Sequence, residues 1–127
     1  MTDKHYAHFL TVTQYYMLDV ACASIYRAFP DSYGTYLVGS VLTRPNFRDV
    51  DVRTILGDAE FERLFPHDTA AKPGESNHWM LVNRSISELL SRMSGLPVDF
   101  QIQSMTDANQ SQKNEGPRNA IGVRIPS

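Results

Sequence analysis

The chain has 127 residues, 42% of them hydrophobic, with 12 Lys and Arg against 14 Asp and Glu. That length suits one compact domain with a real core, and a formal net charge of −2 removes the overall cationic field that drives tight nonspecific binding to a nucleic-acid backbone. A single cysteine, Cys22, excludes an internal disulfide or a thiolate metal cage, which fits a reducing compartment; within an apolar helical pattern it reads as a small buried hydrophobe.

No run approaches the ~18 uninterrupted apolar residues of a membrane span. Asp3, Lys4 and His5 stand where a signal peptide would begin its apolar core. The chain is therefore expected to be soluble and cytoplasmic, with no membrane partner, and it carries no internal repeat. From Tyr6 to Phe29, the residues Phe9, Met17, Val20, Ala21, Ile25 and Ala28 recur at spacings of three and four with no Pro or Gly. This spacing predicts one long amphipathic helix. Pro30, Asp31, Ser32 and Gly34 break it, and Thr35-Tyr36-Leu37-Val38 reads as the first strand, ending at Gly39.

A loop from Thr43 to Arg48 leads to a second strand, Asp49 to Ile55, alternating polar and apolar and expected to run antiparallel to the first. Asp58 is placed to cap a short helix ending at Phe65. Ser76 is placed to cap a second long helix through Trp79, Val82, Ile86, Leu89 or Leu90 and Met93, which Gly95 and Pro97 end. Val98, Phe100 and Ile102 then alternate with Asp99, Gln101 and Gln103 as a third strand. Residues 106–118, polar from Thr106 to Pro117, read as a mobile loop, and Ala120 to Ile125 as a closing edge strand. The order implies a single α+β domain over 1–127, a small mixed sheet with helices packed on one face.

Three acids fall within the strands. Asp49 and Asp51 share a face by period two, and Asp99 lies on the polar face of another strand. Like charges on one strand face cost stability unless a cation neutralises them, so either Arg48 and Arg53 pair with them at a solvated surface or they gather around a metal. Carboxylates are the hard ligands that Mg²⁺ or Mn²⁺ prefer.

Leu37-Val38-Gly39-Ser40, then Arg48-Asp49-Val50-Asp51-Val52, then Val98-Asp99-Phe100 occur in an order that resembles the nucleotidyltransferase superfamily, which includes DNA polymerase beta and the small minimal nucleotidyltransferases of bacteria. The resemblance spans Tyr36 to about Ile102. It implies a nucleotidyltransferase-like fold in which Gly39 and Ser40 hold a nucleoside triphosphate, with Arg44 and Arg53 as further nucleotide-binding residues. It also implies that Asp49, Asp51 and Asp99 ligate Mg²⁺ or Mn²⁺, and that Asp99 helps to activate an acceptor hydroxyl on RNA, protein or a small molecule. Many relatives place a basic residue directly after the Gly-Ser pair, whereas this chain has Val41-Leu42 and reaches a cation only at Arg44.

Two expectations follow from the resemblance. One is a metal-dependent nucleotidyltransferase; the other is a catalytically inactive relative that serves as a nucleotide-binding or protein-interaction module, paired with another protein or with itself. His5, His8, His67 and His78 lack the spacing of a zinc site, and Trp79 reads as core. The tyrosines Tyr6, Tyr15, Tyr16 and Tyr26 either extend the core or form a partner surface. Lys113, Arg118 and Arg124 lie on a solvated tail or close over phosphates. No nucleophile elbow or Walker-type loop is present.

Overall fold

A computed structural model of the chain describes residues 8–66 and 76–121. Helix α1, Val12–Ala21, begins with a reciprocal cap: the Gln14 amide donates to Thr11 Oγ1 (3.1 Å) and the Thr11 amide to Gln14 Oε1 (2.8 Å). The expected single helix over Tyr6 to Phe29 is instead α1 followed by α2, Ala23–Ala28. The break falls at Cys22, where ψ is −4° and the amide is shared between the carbonyls of Leu18 (2.9 Å) and Asp19 (3.2 Å). With this offset Leu18, Ala21, Cys22 and Ile25 all reach the core. Burial, with Asp19 close by, pushes the Cys22 thiol up to about 12, so it is an unreactive apolar group. Tyr15 and Tyr26 pack on the core while Tyr16 is exposed; Tyr6, like His5, His67 and Arg124, lies outside the described residues.

Strand β1, Thr35–Val38, runs into a single turn of 3-10 helix, Gly39–Leu42, and β2 spans Val50–Leu56. The second strand therefore starts one residue later than expected and leaves Asp49 in the preceding bend, because the ladder begins with the Val50 amide on the Pro97 carbonyl (2.9 Å). Helix α3, Asp58–Leu64, is entered through Gly57 with no side-chain cap. The expected cap, Asp58, points elsewhere, as described below. Helix α4, Asn77–Ser94, begins at Ser76, whose Oγ accepts from the amides of His78 and Trp79, and ends at Gly95, whose φ of +77° is the left-handed cap that glycine adopts without strain.

Strand β3, Val98–Ser104, pairs parallel to β2; β1 pairs antiparallel to both β2 and a two-residue β4, Asn119–Ala120, in the order β3-β2-β1-β4. The closing strand is shorter and earlier than Ala120 to Ile125, and residues 122–127 lie outside the described part. Between β3 and β4 the expected loop is a helix, α5, Met105–Glu115, started by Ser104 Oγ accepting from the Asp107 amide (3.1 Å). Too few apolar residues mark its helical period for hydropathy to reveal it. The α+β class with a small mixed sheet is thus observed, with helix α5 added on the second face. Among the described residues, no helix is long and apolar enough to cross a membrane.

One sheet face carries Leu37, Val50, Val52, Leu56, Val98, Phe100 and Ile102 into the core beneath α1, α2 and α4. Since β3 is an edge strand, the outward amides and carbonyls of its core-facing residues need partners. Helix α4 supplies them. Trp79 Nε1 donates to the Ile102 carbonyl (2.9 Å) and Asn83 Oδ1 accepts from the Ile102 amide (3.0 Å). Ser87 Oγ accepts from the Phe100 amide (2.8 Å) and donates to its carbonyl (3.3 Å), and Ser91 Oγ does the same for Val98 (2.9 and 3.3 Å).

Replacing Ser87 with alanine strands two backbone groups of Phe100. The expected loss is about 1–3 kcal/mol in urea denaturation, against nearly no change for Ser85→Ala on the exposed side of the same helix; equal effects at the two serines would refute the clasp.

Candidate functional site

The polar face of the sheet is set by register. Val38 on β1 pairs with Asp51 on β2, which pairs with Asp99 on β3, so these three side chains form one row across the sheet. The two aspartates occupy adjacent strands on the same face, with backbones about 4.8 Å apart. The next row is Tyr36, Arg53 and Gln101, and the one after it includes Ile55 and Gln103. Arg53 lies across the strands, its Nη1 donating to the carbonyls of Val52 (3.0 Å) and Asp99 (2.8 Å).

Gly39 ends β1 with φ +79° and lies against the Asp51 carboxylate. A Cβ built at Gly39 would overlap an Asp51 oxygen and stand 3.4 Å from its Cγ. Only glycine accommodates both the backbone angle and the approach. Ser40 is half-buried, and its carbonyl closes the turn by accepting from the amides of Thr43 (3.0 Å) and Arg44 (2.9 Å). The turn is fixed to the rest of the fold by buried Val41, whose carbonyl accepts from the Phe9 amide (2.8 Å) ahead of α1.

Helix α5 lies over this second face and roofs a cavity of about 370 Å³. Val38, Gly39, Asp51 and Arg53 line one end, and Ile55, Trp79, Gln103 and Ala108 the other, with Arg118 contributed by the segment after α5. Ile55 and Ala108 are buried here, apart from the main core. The roof is held by Asp58, whose carboxylate accepts from the amide (2.9 Å) and the hydroxyl of Thr106. The Thr106 hydroxyl, then the Thr106 amide, hold the Asp58 carboxyl below its ordinary value.

The sequence-predicted residues are therefore only partly brought together. Gly39, Asp51 and Arg53 line the cavity and Asp99 stands beside Asp51 in the same row. Asp49 is exposed in the bend before β2, and Arg44 is exposed and outside the cavity lining. Among the described residues, no group of three His, Cys, Asp or Glu is placed to hold a metal ion. His8 is stacked on Tyr15 (4.8 Å, 2°), with Nδ1 accepting from the Leu10 amide; burial lowers its pKa, which holds it neutral.

Trp79, expected in the core, is half-buried and contributes both to the clasp on β3 and to the cavity wall. The α5 residues Ser111 and Gln112 were hidden within an apparent loop. The signal that could have found that helix is Ser104-Met105-Thr106-Asp107, a hydroxyl residue followed three later by an acid, which is the pattern of a capped helix start. No protein-family model, curated protein or solved structure matches the chain.

Two measurements follow from this geometry. Gly39→Ala is expected to destabilise the fold by at least about 1–2 kcal/mol from backbone strain alone, and by more with Asp51 present than in an Asp51→Ala background, where the overlap is relieved; additive effects in denaturation would exclude the contact. Because the Asp58 pKa is lowered on folding, its contribution to stability is present above the ordinary carboxylate value near pH 4 and is lost as pH falls through its folded value. Wild type and Asp58→Ala should differ in stability at pH 7 and converge as pH falls through the lowered folded value of Asp58.

Proposed function

We propose that the chain is a metal-dependent nucleotidyltransferase, joining a nucleoside monophosphate from a nucleoside triphosphate to an acceptor hydroxyl. The observation that carries this reading is the Asp51–Asp99 pair on adjacent parallel strands, of which Asp51, with Gly39 of the turn after β1, lines the cavity. Two neighbouring carboxylates are a hard oxygen donor set suited to Mg²⁺ or Mn²⁺. With Asp49 in the bend ahead of β2, Asp51 and Asp99 are the residues that would hold the ion. When bound, it would neutralise phosphate charge and favour the attacking oxyanion.

The chain's own residues supply the positioning. In this reading Gly39, which has no Cβ, allows a phosphate to approach the turn, and the turn's amides and the Ser40 hydroxyl would donate to its oxygens. Asp99, exposed at the end of the row, would accept the proton of the acceptor hydroxyl. The acceptor oxygen then forms a bond to the α-phosphorus as the bridge to the β-phosphate breaks, and pyrophosphate leaves.

A second reading, a nucleotide-binding module without turnover, is favoured by one feature: no basic residue follows Ser40, and Arg44 stands outside the cavity.

Incubation with each labelled nucleoside triphosphate and Mg²⁺ or Mn²⁺, followed by mass analysis of protein and added RNA, separates the two. Transfer abolished by Asp51→Asn, with the fold intact and slightly stabilised by removal of one of two like charges, is the expected outcome. Nucleotide binding without any transfer supports the module, and transfer unaffected by Asp51→Asn overturns the assignment of the site.

A further inference from the structure

The segment between α5 and β4 brings a cation to the polar face from the far end of the chain. Asn119 pairs with Leu37 and Ala120 with Tyr36, and the Ile121 amide donates to the Thr35 carbonyl (2.8 Å). One residue before this ladder stands Arg118, whose side chain lies over Tyr36 on the polar face. Its guanidinium carbon lies 5.3 Å from the centroid of the Tyr36 ring, and Nη2 reaches Asn109 Oδ1 on α5 (3.4 Å). The ring beneath it is itself fixed, since Tyr36 Oη donates to the Tyr33 carbonyl (2.7 Å). Nη1 of Arg118 is buried at the cavity wall with no hydrogen-bond partner among the described residues.

A buried guanidinium donor left without an acceptor is a cost that native structures rarely carry unless a ligand or ion completes it. We propose that Arg118 is the phosphate-binding cation of this cavity and receives the oxygens of a metal-bound polyphosphate. The charge layout selects that ligand. The cavity wall presents the Asp51 carboxylate together with the guanidinium groups of Arg53 and Arg118, and Asp99 stands beside Asp51 on the next strand. A polyphosphate carrying a divalent cation offers positive charge to Asp51 and Asp99 and oxyanions to Arg118 in one molecule. The planar donor fork matches two phosphate oxygens. This choice of ligand rests on the nucleotidyltransferase reading above, and it places in β4's approach the cation that the segment after Ser40 lacks.

The test is calorimetric titration of the whole chain with inorganic triphosphate in the presence of Mg²⁺. Wild type is expected to bind. Arg118→Met, which keeps an apolar stem over Tyr36 but no charge, should bind at least about tenfold more weakly and with a shallower dependence on salt concentration, with near-ultraviolet circular dichroism confirming the fold. Arg118→Lys should recover only part of the loss, because the point charge lacks the fork. If Arg118→Met does not fold, Arg118→Lys decides: a several-fold weakening supports the site and unchanged affinity overturns it. Absence of triphosphate binding by wild type, or equal binding by wild type and Arg118→Met, also overturns it. If Arg118-dependent triphosphate binding is found in a chain that transfers no nucleotide, the transfer reading fails and the anion site stands.

Discussion

The hydrogen bonds that α4 makes to the outer edge of β3 are the constraint on which the rest of the structure depends. Trp79, Asn83, Ser87 and Ser91 recur every four residues along one side of α4. Four residues of helix rise about 6.0 Å, and two residues of strand about 6.6 Å. Trp79 and Asn83 share Ile102, and from Asn83 onward each helical step meets the next core-facing residue of β3, Phe100 and then Val98. The same helix turns Leu90, and partly Val82 and Ile86, into the core. One element thus closes the sheet edge and covers the apolar face, which is how a short chain satisfies an edge strand without adding another.

The parallel alignment of β2 and β3 has an electrostatic consequence. Their register sets Val52 beside Phe100 in the dry core and, one residue earlier, Asp51 beside Asp99 on the polar face. The contact that buries the strongest apolar pair therefore places two carboxylates side by side. A one-residue slip would turn the slipped strand's apolar residues outward, so hydrophobic burial holds the acids together against their mutual repulsion. Arg53, lying across the two strands to the Asp99 carbonyl, brings positive charge to the same region without taking a place in the acid row.

The end of the described chain completes the polar face by hydrogen bonding more than by apolar burial. Helix α5 contributes Ala108 as a small buried anchor. It is otherwise fastened at its start by Ser104 and by the Asp58 carboxylate on Thr106, and beyond its end by the pairing of β4 with β1. Such a roof leaves space beneath it, because no large apolar side chain descends to fill the gap over Arg53 and Gln101. Met105, at the first position of α5, is the helix's one large apolar residue.

Features whose evidence is local were legible in the residues. β-Branched and aromatic character placed β1, and period-two alternation placed β3 and most of β2. Ser76 and Gly95 marked both ends of α4, and the family resemblance grouped Gly39 with Asp49, Asp51 and Asp99. The sequence by itself determined the α+β class, the antiparallel pairing of β1 with β2 and the chemical character of the three strands, because each depends on neighbouring residues and side-chain period. Only the tertiary structure decided that Asp99 stands beside Asp51 while Asp49 stays in a bend, that α5 is a helix over the second face, and that Arg118 lies over Tyr36 at the cavity wall. Those outcomes depend on strand partners distant along the chain and on hydrogen bonds across elements, and neither composition nor periodicity carries a record of which strand lies next to which.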